Sequence, residues 1–143
     1  MKKILLLLCL CILFSGCRRE VTPEEDIKAV LIAHIEQMNS DDPVEAMGSI
    51  HEDAPFYEQM YAILEGIKGV YDLNTEIIDF VYIGSRGPDM AVAAVKQSTV
   101  KESGPDFRDN IVESLLVFKK DKGEWKIFQS VILSVEYPDQ ARG

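Results

Sequence analysis

The sequence predicts an α+β domain, with three helices packed against one face of an antiparallel sheet. Two patterns predict it. Between residues 22 and 67 apolar residues recur at helical spacing, broken by helix start and stop signals. From Leu73 the period changes to two, and four long runs rich in Ile, Val, Phe and Tyr are separated by short turns. A third observation bounds the answer: after the N-terminal apolar segment about 120 residues remain, enough for one core and not two, with no repeat and no low-complexity stretch.

The chain opens with Lys2 and Lys3, an uncharged Leu-rich run from Ile4 to Phe14, and the small residues Ser15 and Gly16 before Cys17. This is the layout of a secretory signal peptide covering residues 1–16. A membrane-spanning helix needs about 20 apolar residues, and this run is too short. Leu13-Phe14-Ser15-Gly16-Cys17 resembles the bacterial lipoprotein cleavage box, with Phe14 where that family usually has Leu. The resemblance implies cleavage before Cys17, a diacylglyceryl thioether on its sulfur and an acylated new N-terminus such as palmitate would supply. Two or more chains anchor stably where one does not. Residues 17–21 then form a lipidated tether. Arg18 follows the cysteine, and the lipoprotein sorting rule implies the outer membrane if the bacterium has two membranes.

Cys9 and Cys11 fall in the segment that would be removed, leaving Cys17 alone. No disulfide framework, thiol nucleophile or Cys-based metal site is expected, and no cofactor. The net charge is −9, and loss of Lys2 and Lys3 takes the mature form two further, to −11. Such an acidic chain is a poor partner for nucleic acid or anionic lipid, so membrane attachment rests on the lipid.

Thr22-Pro23-Glu24-Glu25 reads as a capping box opening the first helix. Ile27, Val30, Leu31, Ile35 and Met38 form its apolar stripe, and His34 falls on it. Asp42 caps a second, shorter helix with Pro43 at its first position and Val44, Met47 and Ile50 inward. Pro55 breaks it. Phe56 to Ile67 reads as a third helix, with Phe56, Met60, Ile63, Leu64 and Ile67 inward and Gly66 and Gly69 ending it. Strands are expected over 74–83, 90–101, 111–119 and 125–135. Ala91, Ala93 and Ala94 predict close packing on the second. The third is apolar on both faces and is expected to be central. Trp125, Ile127, Val131, Leu133 and Val135 are expected on one face of the last, with Lys126, Ser130 and Ser134 on the other. Lys120 to Gly123 reads as a hairpin loop, and residues 138–143 as a polar tail.

Phe107-Arg108-Asp109-Asn110, the strand to Phe118, and Gly123-Glu124-Trp125-Lys126-Ile127 resemble the nuclear transport factor 2-like (NTF2-like) superfamily, near its SnoaL-like branch. The resemblance covers residues 22–137. It implies a cone: a strongly curved sheet around a long first helix, with a cavity between them. The superfamily holds isomerases, dehydratases and cyclases beside non-catalytic adaptors and lipoproteins, so function has to be argued from the site.

His34 is the first candidate, as a general acid or base if its face lines the cavity, or else as a core-edge histidine bonded to backbone. His51-Glu52-Asp53 is a weak metal cluster, better read as a helix-end histidine meeting the dipole. Asp79 and Glu113 lie in strands and serve as bases only if they face inward; an outward, solvated placement suits the acidic surface. Tyr57, Tyr61 and Tyr82 can offer phenol hydroxyls, and otherwise pack at a cavity rim. Asp109 and Asn110 read as turn caps. No Ser-His-Asp arrangement, phosphate loop or dinucleotide fingerprint appears. The reading that follows is a membrane-anchored lipoprotein whose domain binds a small ligand or protein partner without catalysis. The alternative is a small cavity enzyme of isomerase or dehydratase type using His34 with Tyr57, Tyr61 or Asp79. Homodimerisation through the open sheet face is compatible with either.

Overall fold

A computed structural model describes residues 22–138. The expected signal peptide, Cys17, the expected tether and most of the expected polar tail lie outside the described residues. Helix α1 is Glu24–Met38, a 3-10 segment follows at Pro43–Ser49, and α2 is Tyr57–Ile67. The strands β1 (Asp72–Ser85), β2 (Met90–Ser103), β3 (Asn110–Asp121) and β4 (Glu124–Glu136) form one antiparallel meander in the order β1-β2-β3-β4. This is the expected α+β architecture, three helical segments on a curved four-stranded sheet.

The stripe of α1 is buried as its spacing requires: Ile27, Leu31, His34 and Ile35 all point into the core. Its start differs from the expected capping box. Pro23 occupies the N-cap, no side chain caps it, and the first helical bond runs from Ile27 N–H to the Pro23 carbonyl. Glu24, Glu25 and Asp26 complement the helix dipole there instead. At the other end Asn39 ties the helix to the sheet. Its Oδ1 accepts Thr75 N–H at 2.8 Å and its Nδ2 donates to the Thr75 carbonyl at 2.8 Å.

The second helical piece is 3-10, not α. Asp42 Oδ1 accepts Val44 N–H and Pro43 fills the first position, as expected. Six residues later Ile50 is already extended, forming a parallel bridge with Ile127 of β4. In α2, Leu64 is buried and Met60 and Ile67 pack on the core, whereas Ile63 is 49% exposed. Ile63 therefore lies outside the buried face on which the spacing had placed it.

On the sheet's inner face Ala91 and Ala93 are fully buried, which lets the helical layer approach closely. Phe118, also fully buried, sits opposite Ala91 in the register. Strand β3 pairs on both sides, so its two-faced apolar pattern did mark a central strand. The β3–β4 hairpin turns on Lys122 and Gly123, both at positive φ (50° and 87°), the geometry of a two-residue primed turn. Strand β4 corrects the expected alternation. Its register with β3 shifts between Val117 and Phe118 and again between Glu113 and Ser114, so each shift inserts a β4 residue without a partner. Trp125 and Ile127 face the core, but beyond the first shift Ser130 and Ile132 take over that face, opposite Leu116 and Ser114. This end of the strand is open on both faces: Ile132 is 63% exposed, and Val131 and Leu133 on the other side 43% and 52%.

Candidate functional site

A cavity of about 230 Å³ lies between the helical layer and the concave side of the sheet. Leu31, His34 and Met38 come from α1, Ile50 and Phe56 from the connection after the 3-10 segment, and Met60 from α2. The sheet contributes Val112, Leu116, Ile127 and Ile132, with Gln97, Ser114 and Ser130 as its polar groups. Among the described residues no carboxylate and no amine lines it. Helical spacing on α1 is what delivers His34: positions 31, 34 and 38 share one face.

His34 is 6% exposed. Its Nδ1 lies 2.6 Å from Ser49 Oγ and 3.2 Å from the Ala46 carbonyl, both in the 3-10 segment. The Ser49 hydroxyl itself donates to the Ala46 carbonyl at 2.7 Å. Burial opposes a charged ring and moves its pKa below the usual 6.5; the contact with the Ala46 carbonyl works the other way and is the smaller effect. The ring is thus a neutral imidazole at pH 7, bonded to backbone as the bland reading had it and also lining the cavity.

The other candidates do not join it. Tyr57 borders a separate depression near Ile50, Glu52 and Lys126. Tyr61 is 45% exposed on the outer side of α2. Asp79 is exposed, and its carboxylate accepts the N–H of Phe80. Tyr82 packs on the core, and Glu113 sits opposite Lys96 on the face away from the helices. His51 is buried with its ring edge-on to Phe128, and its Nδ1 accepts the Asp53 N–H at 3.1 Å. That bond makes it a turn fixture; among the described residues no group of acids, histidines and cysteines could hold a metal. Asp109 accepts the Lys101 N–H at 2.9 Å and Asn110 donates to the Arg108 carbonyl, both capping roles. Sequence reasoning missed Ser49, which orients His34, and the wall residues Gln97, Ser114 and Ser130. Ser114 had a usable signal, since it alternates in phase with Leu116 and Phe118.

A single antiparallel sheet curved around a long first helix, with a cavity between them, defines an NTF2-like, cystatin-like domain. Solved structures show the same fold. A protein with a cystatin-like fold from Caulobacter vibrioides aligns with a TM-score of 0.63 at 16% identity, covering 82% of this chain and 92% of that one. An NTF2-like protein from Cytophaga hutchinsonii aligns at 0.58 and 19% identity, covering 76% and 96%. A ketosteroid isomerase-like protein from Erwinia carotovora atroseptica aligns at 0.55 and 15% identity, covering 78% and 97%. Within this fold, residues 29–138 match the model of the anti-sigma-I factor RsgI9 C-terminal domain, and the chain belongs to that family. No curated protein matches the sequence.

Proposed function

We propose that this protein is a lipid-anchored, envelope-facing binding module that takes up a small apolar ligand in its cavity and performs no catalysis. The observation that carries this is the make-up of the cavity wall: apolar side chains predominate, and the histidine has no acid, second base or oxyanion cluster beside it. Catalysis of isomerase or dehydratase type needs such groups to converge. Of His34, Tyr57, Tyr61 and Asp79, only His34 lines the cavity. The family is named for a domain of an anti-sigma-I factor, and a recognition module suits a regulator better than an enzyme does. The enzyme reading now rests on His34 alone, as a neutral base. Anchoring rests on the Leu13–Cys17 box, and homodimerisation on the exposed apolar residues of the sheet.

Two experiments test this. Cys17→Ser should abolish incorporation of labelled palmitate and move the protein from the membrane to the soluble fraction; retention in the membrane would refute the lipid anchor. For the cavity, propylbenzene should shift the methyl resonances of Met60 and Ile127 saturably in NMR spectra. Absence of any such shift with propylbenzene and with its phenol and benzoate counterparts alike would remove the ligand-binding reading.

A further inference from the structure

The hydrogen bonds at His34 decide which chemistry the cavity can read. Ser49 Oγ carries one proton, and it goes to the Ala46 carbonyl at 2.7 Å. What Ser49 and Ala46 then offer His34 Nδ1, at 2.6 and 3.2 Å, are lone pairs. The ring proton therefore sits on Nδ1. A neutral imidazole has one N–H, so Nε2 is left as an acceptor, and it has no hydrogen-bond partner among the described residues. His34 lines the cavity, and with Nδ1 engaged by the 3-10 segment, Nε2 is the ring nitrogen left for an occupant. Gln97, Ser114 and Ser130 can each donate or accept; His34 is the wall group whose role is fixed.

We propose that the cavity selects a small, neutral, apolar molecule bearing one hydrogen-bond donor, an alcohol or phenol, held by an O–H···Nε2 bond to His34. The proposal rests on the cavity-binding reading above and adds the ligand's chemistry to it. A hydrocarbon would leave Nε2 unpaired in an apolar chamber. At Nε2 a ketone would set lone pair against lone pair. A carboxylate would add the loss of its hydration, with no cation on the wall to replace it. The volume of about 230 Å³ is below the usual range for drug-sized ligands and suits a molecule of about one ring.

The test compares 4-propylphenol, propylbenzene and 4-propylbenzoate on the full-length protein, with His34→Asn as the variant. Asparagine keeps an N–H donor close to the Nδ1 position, toward Ser49 and Ala46, and has no atom at Nε2. The phenol should bind about tenfold tighter than propylbenzene, with the benzoate weakest, and in H34N the advantage of phenol over propylbenzene should fall below about twofold. Equal binding of phenol and propylbenzene would overturn the donor proposal and leave the cavity reading standing. Failure of all three to bind would overturn both. The ring nitrogen resonances of the unsubstituted protein give an independent check should H34N not fold: the proton is expected on Nδ1, and a proton on Nε2 would overturn the proposal.

Discussion

His34 stays neutral because burial disfavours the charged ring, and that has a consequence for stability. Its folded pKa lies below the 6.5 of an exposed imidazole, so the unfolded chain binds a proton that the folded one refuses. The stability His34 contributes is complete above about pH 6.5 and is lost as the pH falls through the lower folded value. Among the described residues no cavity-lining carboxylate offsets the charge. The urea midpoint should be flat above pH 7 and decline as the pH falls below about 6.5. Asp42, held below its usual range chiefly by the hydrogen bond from Lys68, acts only at lower pH. His34→Asn should flatten the decline across that window; an unchanged slope would show that the ring does not resist protonation. His34 itself was legible in the sequence, because helical spacing alone puts it on the stripe of Ile27, Leu31 and Ile35. Its partners were not. Ser49 and Ala46 lie 15 and 12 residues away, joined to it only by the packing of two helical segments.

At the scale of elements, the β2–β3 connection is held more tightly than its turn-like sequence suggests. Gly104 has φ +111°, and a Cβ there would lie 2.6 Å from the Val70 carbonyl oxygen and 3.1 Å from the Tyr71 Cα. Both are backbone atoms and cannot swing aside. Around it Lys101 Nζ donates to the Pro105 carbonyl at 2.9 Å, and Phe107 packs edge-on to Tyr71. Gly87, in the β1–β2 turn, also has positive φ but meets nothing within 4 Å. Gly104→Ala should therefore cost about 3 kcal/mol or more, where Gly87→Ala costs about 1. Equal urea midpoints for the two variants would contradict the packing described. The elements differ likewise in how far the sequence disclosed them. The two-faced pattern of β3 identified a central strand because burial on both sides leaves a local trace. The faces of β4 were lost after Ile127, because an inserted residue shifts the phase without altering the composition, and the partner strand alone reveals it. Asn39 is a similar case: its bonds to Thr75 reach across 36 residues, and helix-end signals say nothing of them.

At the scale of the whole molecule, the sheet presents a row of apolar residues on the side without helices. Val81 of β1 pairs with Ala94 of β2, Ala94 with Leu115 of β3, and Leu115 with Val131 of β4. Their chain neighbours Ala93 and Leu116 are buried in the core, so the row points outward. At its ends Val81 is 50% and Val131 43% exposed, with Leu133 beside it at 52%. A continuous apolar row of this kind favours burial against another surface, and an identical copy supplies a matching one. Opposing that is the charge: two chains at −9 repel, and the repulsion is screened by salt. The two effects together predict a dimer that tightens as ionic strength rises, the reverse of an interface built from ion pairs. Light scattering on the full-length protein should give a dimer mass at moderate salt and a growing monomer fraction at low salt. Val131→Glu puts a carboxylate into the row at an exposed position, so it should yield a monomer with an unchanged circular dichroism spectrum. A monomer at every salt concentration in the unsubstituted protein, or a dimer that persists in V131E, would mean that this face does not join two copies.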